Sequence, residues 1–150
     1  VYVGQNGGKK INIEMQNTYQ EDWAERSLFY NCRMFTEGLK TGQSYYELPP
    51  CIHVGILDFN YLKSPGFYHR ILLKDDKTGE SYSSKFQFHV IELSKIETTK
   101  GKARKQELYR WARLISASTW EEIREESEGN HYMEKARDEM IKMSRDESER

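Results

Sequence analysis

No stretch of this chain stays apolar long enough to cross a bilayer, and its start lacks the layout of a secretion signal. Cysteine is scarce. Cys32 and Cys51 are the only two, and with the 4 histidines they make no zinc-ligand spacing. They could form one disulfide, or stand as two buried thiols in a reducing cytoplasm, the location expected for the chain. Charge of one sign is missing as well. The 23 Lys and Arg against 24 Asp and Glu leave a net of −1, so the global basic signature of nucleic-acid binding is absent. No internal repeat or low-complexity tract stands out.

What the chain does have is enough for one domain with a core: 150 residues, 37% hydrophobic and 13% aromatic. That composition excludes disorder along the whole length. The balanced charge hides an asymmetry, because residues 121–150 hold eleven acids and six bases, a net of −5, leaving +4 for residues 1–120. A mildly basic front and an acidic tail result. Val1 is no initiator Met and opens inside a strand-like pattern, while the other end stops in a charged helical run. Both ends are therefore expected to be cuts within a longer protein.

The pattern along the chain predicts β-β-α-β-β-β-α-α. Val1-Tyr2-Val3 and Ile11 to Gln16 alternate around a Gln5-Asn6-Gly7-Gly8 turn, a hairpin signal. A helix is predicted from about Asp22 to Leu39, with Ala24, Leu28, Cys32, Phe35 and Leu39 as its apolar stripe. The near-unbroken apolar run Cys51 to Phe59 reads as a central strand buried on both faces. Phe67 to Leu73 and a return strand with Phe86, Phe88 and Val90 flank the turn Asp75-Asp76-Lys77-Thr78-Gly79. A helix with Leu108, Trp111, Ala112 and Ile115 on one face follows, and Thr119 with Glu122 reads as a capping box. The last thirty residues are helical and polar, with Met133, Ala136, Met140 and Met143 as their apolar stripe. Trp23, Phe35, Phe88 and Trp111 are expected in the core.

The hexapeptide Ile11-Asn12-Ile13-Glu14-Met15-Gln16 is the informative one. Alternation in a strand puts Ile11, Ile13 and Met15 on a core face and Asn12, Glu14 and Gln16 together on the other. A carboxylate and an amide on one rigid face suit either a solvated strand surface or an oxygen-ligand site for a divalent cation, with a polar group to orient water or phosphate. Arg26, Tyr30 and Arg33, at i, i+4 and i+7, share a helix face that either contacts phosphates or is solvated with ion pairs of its own. Lys95, Lys100, Lys102, Arg104 and Lys105 are read as a mobile charged loop in preference to a DNA-backbone contact. His53 and His89 are read as structural.

Val-Tyr-Val, the Gly/Asn turn and the strand from Ile11 to Gln16 together resemble the active-site hairpin of the PD-(D/E)XK nuclease superfamily. More narrowly they resemble the bacterial recombination-promoting nuclease / putative transposase family. Arg26 with Tyr30, Gly42 to Tyr46, Pro50 to Phe59, and His89 to Lys95 with Glu92 agree in order. So does Tyr132 to Ala136, running on to Asp146, so that the likeness spans nearly the whole chain.

The resemblance implies an α/β fold, a restriction-endonuclease-like mixed β-sheet flanked by helices, with a nuclease-like core over 1–118 and an acidic helical extension over 119–150. It implies a Mg2+- or Mn2+-dependent DNA endonuclease with catalytic Glu14 and Gln16, metal ligands Glu14 and the Met15 carbonyl, and DNA contacts at Arg26, Tyr30 and Arg33. Gln16 stands where most of the superfamily has Lys, and an amide can orient an oxygen but brings no positive charge. The family's acid aligns just ahead of Val1, and no acid lies between Val1 and Lys10. One carboxylate and one carbonyl make a poor Mg2+ site, so the chain by itself is expected not to cleave DNA. The alternative is a catalytically inactive nuclease fold that binds DNA or protein. A homodimer across an exposed sheet edge is a further expectation.

Overall fold

The most apolar run of the chain becomes the middle of the sheet. In a computed structural model, which describes residues 2–6 and 8–148, strand β3 (Cys51–Leu57) lies parallel to both β2 (Lys9–Gln16) and β5 (Ser81–Glu92). Strand β1 (Tyr2–Asn6) pairs antiparallel outside β2, and β4 (Tyr68–Lys74) antiparallel outside β5. The order β1-β2-β3-β5-β4 is a five-stranded mixed sheet. Only a strand with a parallel neighbour on each side and side chains packed on both faces needs β3's run of Ile, Val and Leu. The remaining elements are α1 (Trp23–Thr36), α2 (Glu107–Ser116), α3 (Trp120–Ser127) and α4 (His131–Ser148). The predicted α/β class, a mixed sheet with a helix, α1, packed on it as in restriction-endonuclease-like folds, is the architecture that forms.

The chain divides into two compact units, residues 1–95 and 96–150. The junction read from the sequence at 118/119 falls inside the second unit, beside the N-cap of α3.

In the first unit, helix α1 packs across β3 and β5, and here the structure corrects the sequence. Its buried positions are Trp23, Ser27, Asn31 and Met34, whereas Leu28 is 47% exposed and Cys32 lies on the surface. The reason is tertiary. At Gly55 a Cβ would come within 2.3 Å of the Trp23 ring, so the glycine opens a hollow that this indole fills. Asn31, fully buried, donates from Nδ2 to the Gln87 carbonyl at 3.0 Å. A small hydroxyl at Ser27 lets the helix lie close between those two anchors. The two-buried-thiols reading holds only for Cys51, which is fully buried.

The β4–β5 turn is the predicted one. Asp75 Oδ1 accepts from the amides of Lys77 (3.0 Å) and Thr78 (2.8 Å), and Gly79 takes the positive φ of 73° that closes it. At the far end of β5 sits Glu92, with no exposed surface. It accepts from the amides of Tyr61 (2.6 Å) and Leu62 (3.0 Å) and from Lys95 Nζ (2.6 Å). Lys95 also donates to the carbonyls of Leu62 and Ser64, both at 2.7 Å. Lys95 is thus a buried clamp on the β3–β4 connection and is withdrawn from the basic stretch to which its sequence position assigned it. His89 is the structural hydrogen-bonder expected, 2.7 Å from the Tyr68 hydroxyl.

In the second unit, the basic stretch is not an open loop, because Gly101–Lys105 winds into a 3-10 turn and Arg104 Nε donates to the Thr99 carbonyl. Thr119 and Glu122 form the predicted capping box on α3. On α2 the buried residues are Tyr109, Ala112 and Leu114, so of the expected stripe only Ala112 is fully inside. Of the methionine stripe on α4, Met133 is fully buried and Met143 is 64% exposed.

Candidate active site

Glu14 stands near the C-terminal end of β2, where its register partner on β3 is Gly55. The alternation of β2 is as predicted, but the occupancy of its two faces is not. Helix α1 lies over the face that carries Asn12, Glu14 and Gln16, and Met15 on the opposite face is 50% exposed. Glu14 is consequently a half-buried carboxylate between a strand and a helix, with a side chain 13% exposed.

Three side chains turn donors toward it. Arg26 Nε, one turn into α1, donates to Oε1 at 2.6 Å, and Gln16 Nε2 donates to the same oxygen at 3.1 Å. His53 Nε2, from the adjacent β3, lies 3.5 Å from Oε2 and is otherwise without a hydrogen-bond partner. We regard that contact as an ion–dipole approach at the limit of a hydrogen bond. Burial raises the Glu14 pKa, but hydrogen bonds from Arg26 and Gln16 and the charge of Arg26 outweigh it and hold the carboxyl below its ordinary value. Burial pushes the His53 imidazole down, only partly offset by the Glu14 charge, so it is neutral at pH 7.

Running away from Glu14, the two elements continue side by side. Lys10 and Asn12 of β2 and Tyr30, Arg33, Met34 and Glu37 of α1 line a groove of about 320 Å3. The Arg26 guanidinium sits 5.1 Å from the centre of the Tyr30 ring, and within the groove Arg33 pairs with Glu37 at 3.2 Å. Of the helix face named from the sequence, Tyr30 and Arg33 line this groove, while Arg26 reaches Glu14, which with Gln16 lies outside the lining. Part of its charge is already engaged, Arg26 by Glu14 and Arg33 by Glu37.

Backbone direction decides what Met15 offers. Lys10 N bonds to the Pro50 carbonyl and Gln16 O accepts from Asp58 N, so the even-numbered residues of β2 turn their backbone groups toward β3. Alternation turns the Met15 carbonyl to the β1 side. The described β1 ladder ends at Tyr2 opposite Asn12, short of that carbonyl.

Tested against a divalent cation, these residues fall short. They supply one carboxylate whose oxygens already face three donors, and the described residues contain no cluster of three or more His, Cys, Asp or Glu that could hold a metal. Two participants escape the sequence reading. His53 is the buried neighbour of Glu14, and Lys10 lines the groove. The parallel β2–β3 register sets His53 opposite Asn12, two positions from the Glu14–Gly55 pair, and nothing local to either strand encodes that pairing.

Among the described residues no helix is long and apolar enough to cross a membrane. Compared with known proteins, residues 1–150 match the model of one family, described as PD-(D/E)XK nuclease family transposase. No curated protein and no solved structure matches.

Proposed function

The chain belongs to the PD-(D/E)XK nuclease family transposases, and from that premise we propose that it is a DNA phosphodiester-hydrolysing module in which Glu14 serves a divalent cation only together with a second carboxylate. The observation that carries this reading is the pairing of a pKa-lowered carboxylate with a neighbouring amide on one strand face, gripped by Arg26 from the helix whose Tyr30 and Arg33 line the neighbouring groove. A carboxylate kept ionised is what a hard cation requires, and Mg2+ or Mn2+ would be the ion. Gln16, already oriented by Glu14, would hold a water or phosphate oxygen. The Met15 carbonyl points to the side on which the second acid would stand. Lys10, Arg26 and Arg33 would carry phosphates.

The register supports the location of the second acid. Tyr2 faces Asn12 in the antiparallel β1–β2 ladder, and each step back along β1 is a step forward along β2. Continued by two positions, that ladder would set a residue directly ahead of Val1 across from Glu14, where the family's acid aligns.

Plasmid nicking tests the proposal. The 150-residue chain is expected to be inactive with Mg2+ or Mn2+, and the same chain carrying an Asp added ahead of Val1 to nick in a metal-dependent way. Glu14→Gln should abolish that gain. Metal-dependent cleavage by the unextended chain, removed by Glu14→Gln, would overturn the requirement for a second carboxylate.

One observation favours a second reading. Arg26 occupies Glu14 as a cation would, which suits a nuclease fold that binds DNA without cutting it. DNA binding that persists while the Asp-extended chain fails to cleave would select this reading.

A further inference from the structure

The second unit carries a cleft for which the nuclease site has no use. Helices α3 and α4 enclose about 410 Å3 lined by Trp120, Arg124, Arg137, Ile141, Ser144 and Arg145. The spacings are those of two facing helix stripes, 120 and 124 on α3 against 137, 141, 144 and 145 on α4. This unit's tail is the acidic part of the chain, with eleven acids against six bases over 121–150. Yet every charged residue lining the cleft is an arginine. The fold has sorted the charge, gathering half of the tail's bases in one concavity and leaving its acids outside the lining.

Of those guanidiniums, Arg137 is engaged through all three of its nitrogens and the other two are not. Arg137 contacts Asp138 at 3.2 Å and the Ser127 hydroxyl at 3.4 Å, while Arg124 and Arg145 form no ion pair among the described residues. Trp120, 47% exposed, offers an indole at the cleft wall, and Ile141 supplies an apolar neighbour. Forked donors suit phosphate oxygens, and an exposed indole suits the face of an unpaired base. A base pair inside a duplex presents no such face.

We infer that the α3–α4 cleft is a second nucleic-acid site, which holds one unpaired nucleotide of single-stranded DNA with its phosphate on Arg124, Arg137 and Arg145 and its base on Trp120. The inference rests on the reading of this chain as a DNA-acting module, and it adds a contact remote in sequence from Glu14. An anionic peptide would use the arginines without needing the indole, so Trp120 is the residue that separates the two occupants.

Fluorescence anisotropy of labelled dT12 with the full chain is the test. Arg124→Ala/Arg145→Ala should weaken binding at least tenfold. It should also flatten the dependence of log K on log salt by about 0.7, the contribution of one neutralised phosphate on a single strand. Trp120→Ala should weaken binding by about tenfold, the scale of one lost stacking contact. A 12-base-pair duplex should bind at least tenfold more weakly than dT12. Lys135→Ala/Lys142→Ala removes the same charge from positions of α4 outside the cleft lining and should leave dT12 binding within twofold. Circular dichroism melting confirms that each variant is folded. Absence of dT12 binding by the wild-type chain overturns the inference. So does equal loss in the two double variants, wild-type affinity of Trp120→Ala, or equal affinity for duplex. Cleavage by the Asp-extended chain reports on the nuclease reading separately, so either claim can fail while the other stands.

Discussion

Two carboxylates stand toward the C-terminal ends of β2 and β5, the strands on either side of β3, and they are held in opposite ways. Glu92 has no exposed surface, and its partners are two backbone amides, a buried lysine that itself grips two carbonyls, and the His69 imidazole, 3.2 Å from Oε2. Glu14 keeps 13% of its side chain exposed, and every donor around it is a side chain, with the Arg26 partner 38% exposed. Backbone donors cannot leave without unfolding the loop that carries them, whereas an arginine on a helix surface can swing away. Glu92 is therefore a clamp and Glu14 a site whose partners can be exchanged. The difference teaches that two buried, ion-paired carboxylates can differ in what holds them, backbone amides at Glu92 and only side chains at Glu14.

The comparison can be broken most sharply at the clamp. Lys95→Met leaves the Glu92 charge buried without its cation, and loss of one partner of a buried pair costs about 3–5 kcal/mol. Urea unfolding should show a shift of that size at unchanged m-value. A shift under about 1 kcal/mol would mean that water reaches Glu92 and that the two carboxylates are alike.

Next in size is Gly55→Ala. The added methyl meets the Trp23 ring, and overpacking of this kind costs about 1–3 kcal/mol. Because Trp23 opens the helix that carries Arg26, the same variant should also alter the Arg26–Glu14 pairing. The side-chain resonance of Arg26 in an NMR spectrum would report it, and an unmoved resonance would separate helix packing from site geometry.

Glu14→Gln should have a far smaller effect on stability, within about 1 kcal/mol, as for ion pairs that remain partly in water. A loss comparable with that of Lys95→Met would make Glu14 a structural residue and remove the contrast.

The smallest expected effect is on pH dependence, and its sign follows from the two depressed pKa values. The folded chain keeps His53 neutral where the unfolded chain protonates it, so stability declines as pH falls below about 6.5. The Glu14 contribution is present above the unfolded carboxyl value of about 4.3 and is lost as pH falls through its lower folded value. His53→Phe should flatten the melting temperature between pH 6.5 and 5 and leave the decline below pH 4. An unchanged slope in the upper window would show that another group titrates there.

Local signals carried most of the fold. The β2 alternation, the β3 apolar run, the Asp75–Gly79 turn and the Thr119–Glu122 box all appear where the sequence put them. Each depends on neighbours within a few residues. The site was legible as Glu14 with Gln16 on one strand and Arg26 with Tyr30 on one helix, because strand and helix periods are properties of the chain itself. That these two faces meet was not, since a helix face is chosen by what it packs against. Ala24, Leu28 and Cys32 made the more apolar stripe, yet Trp23, Ser27, Asn31 and Met34 went inside.

By itself, then, the sequence determined which residues share a face: local backbone geometry repeats every two residues in a strand and about every 3.6 in a helix. Only the tertiary structure decided which faces meet. The hollow at Gly55 drew in Trp23, the parallel register put His53 beneath Glu14, and the loop from Tyr61 to Ser64 turned Lys95 from a surface charge into a buried clamp. Those choices depend on shape and on partner groups dozens of residues away, which no periodicity within one segment can encode.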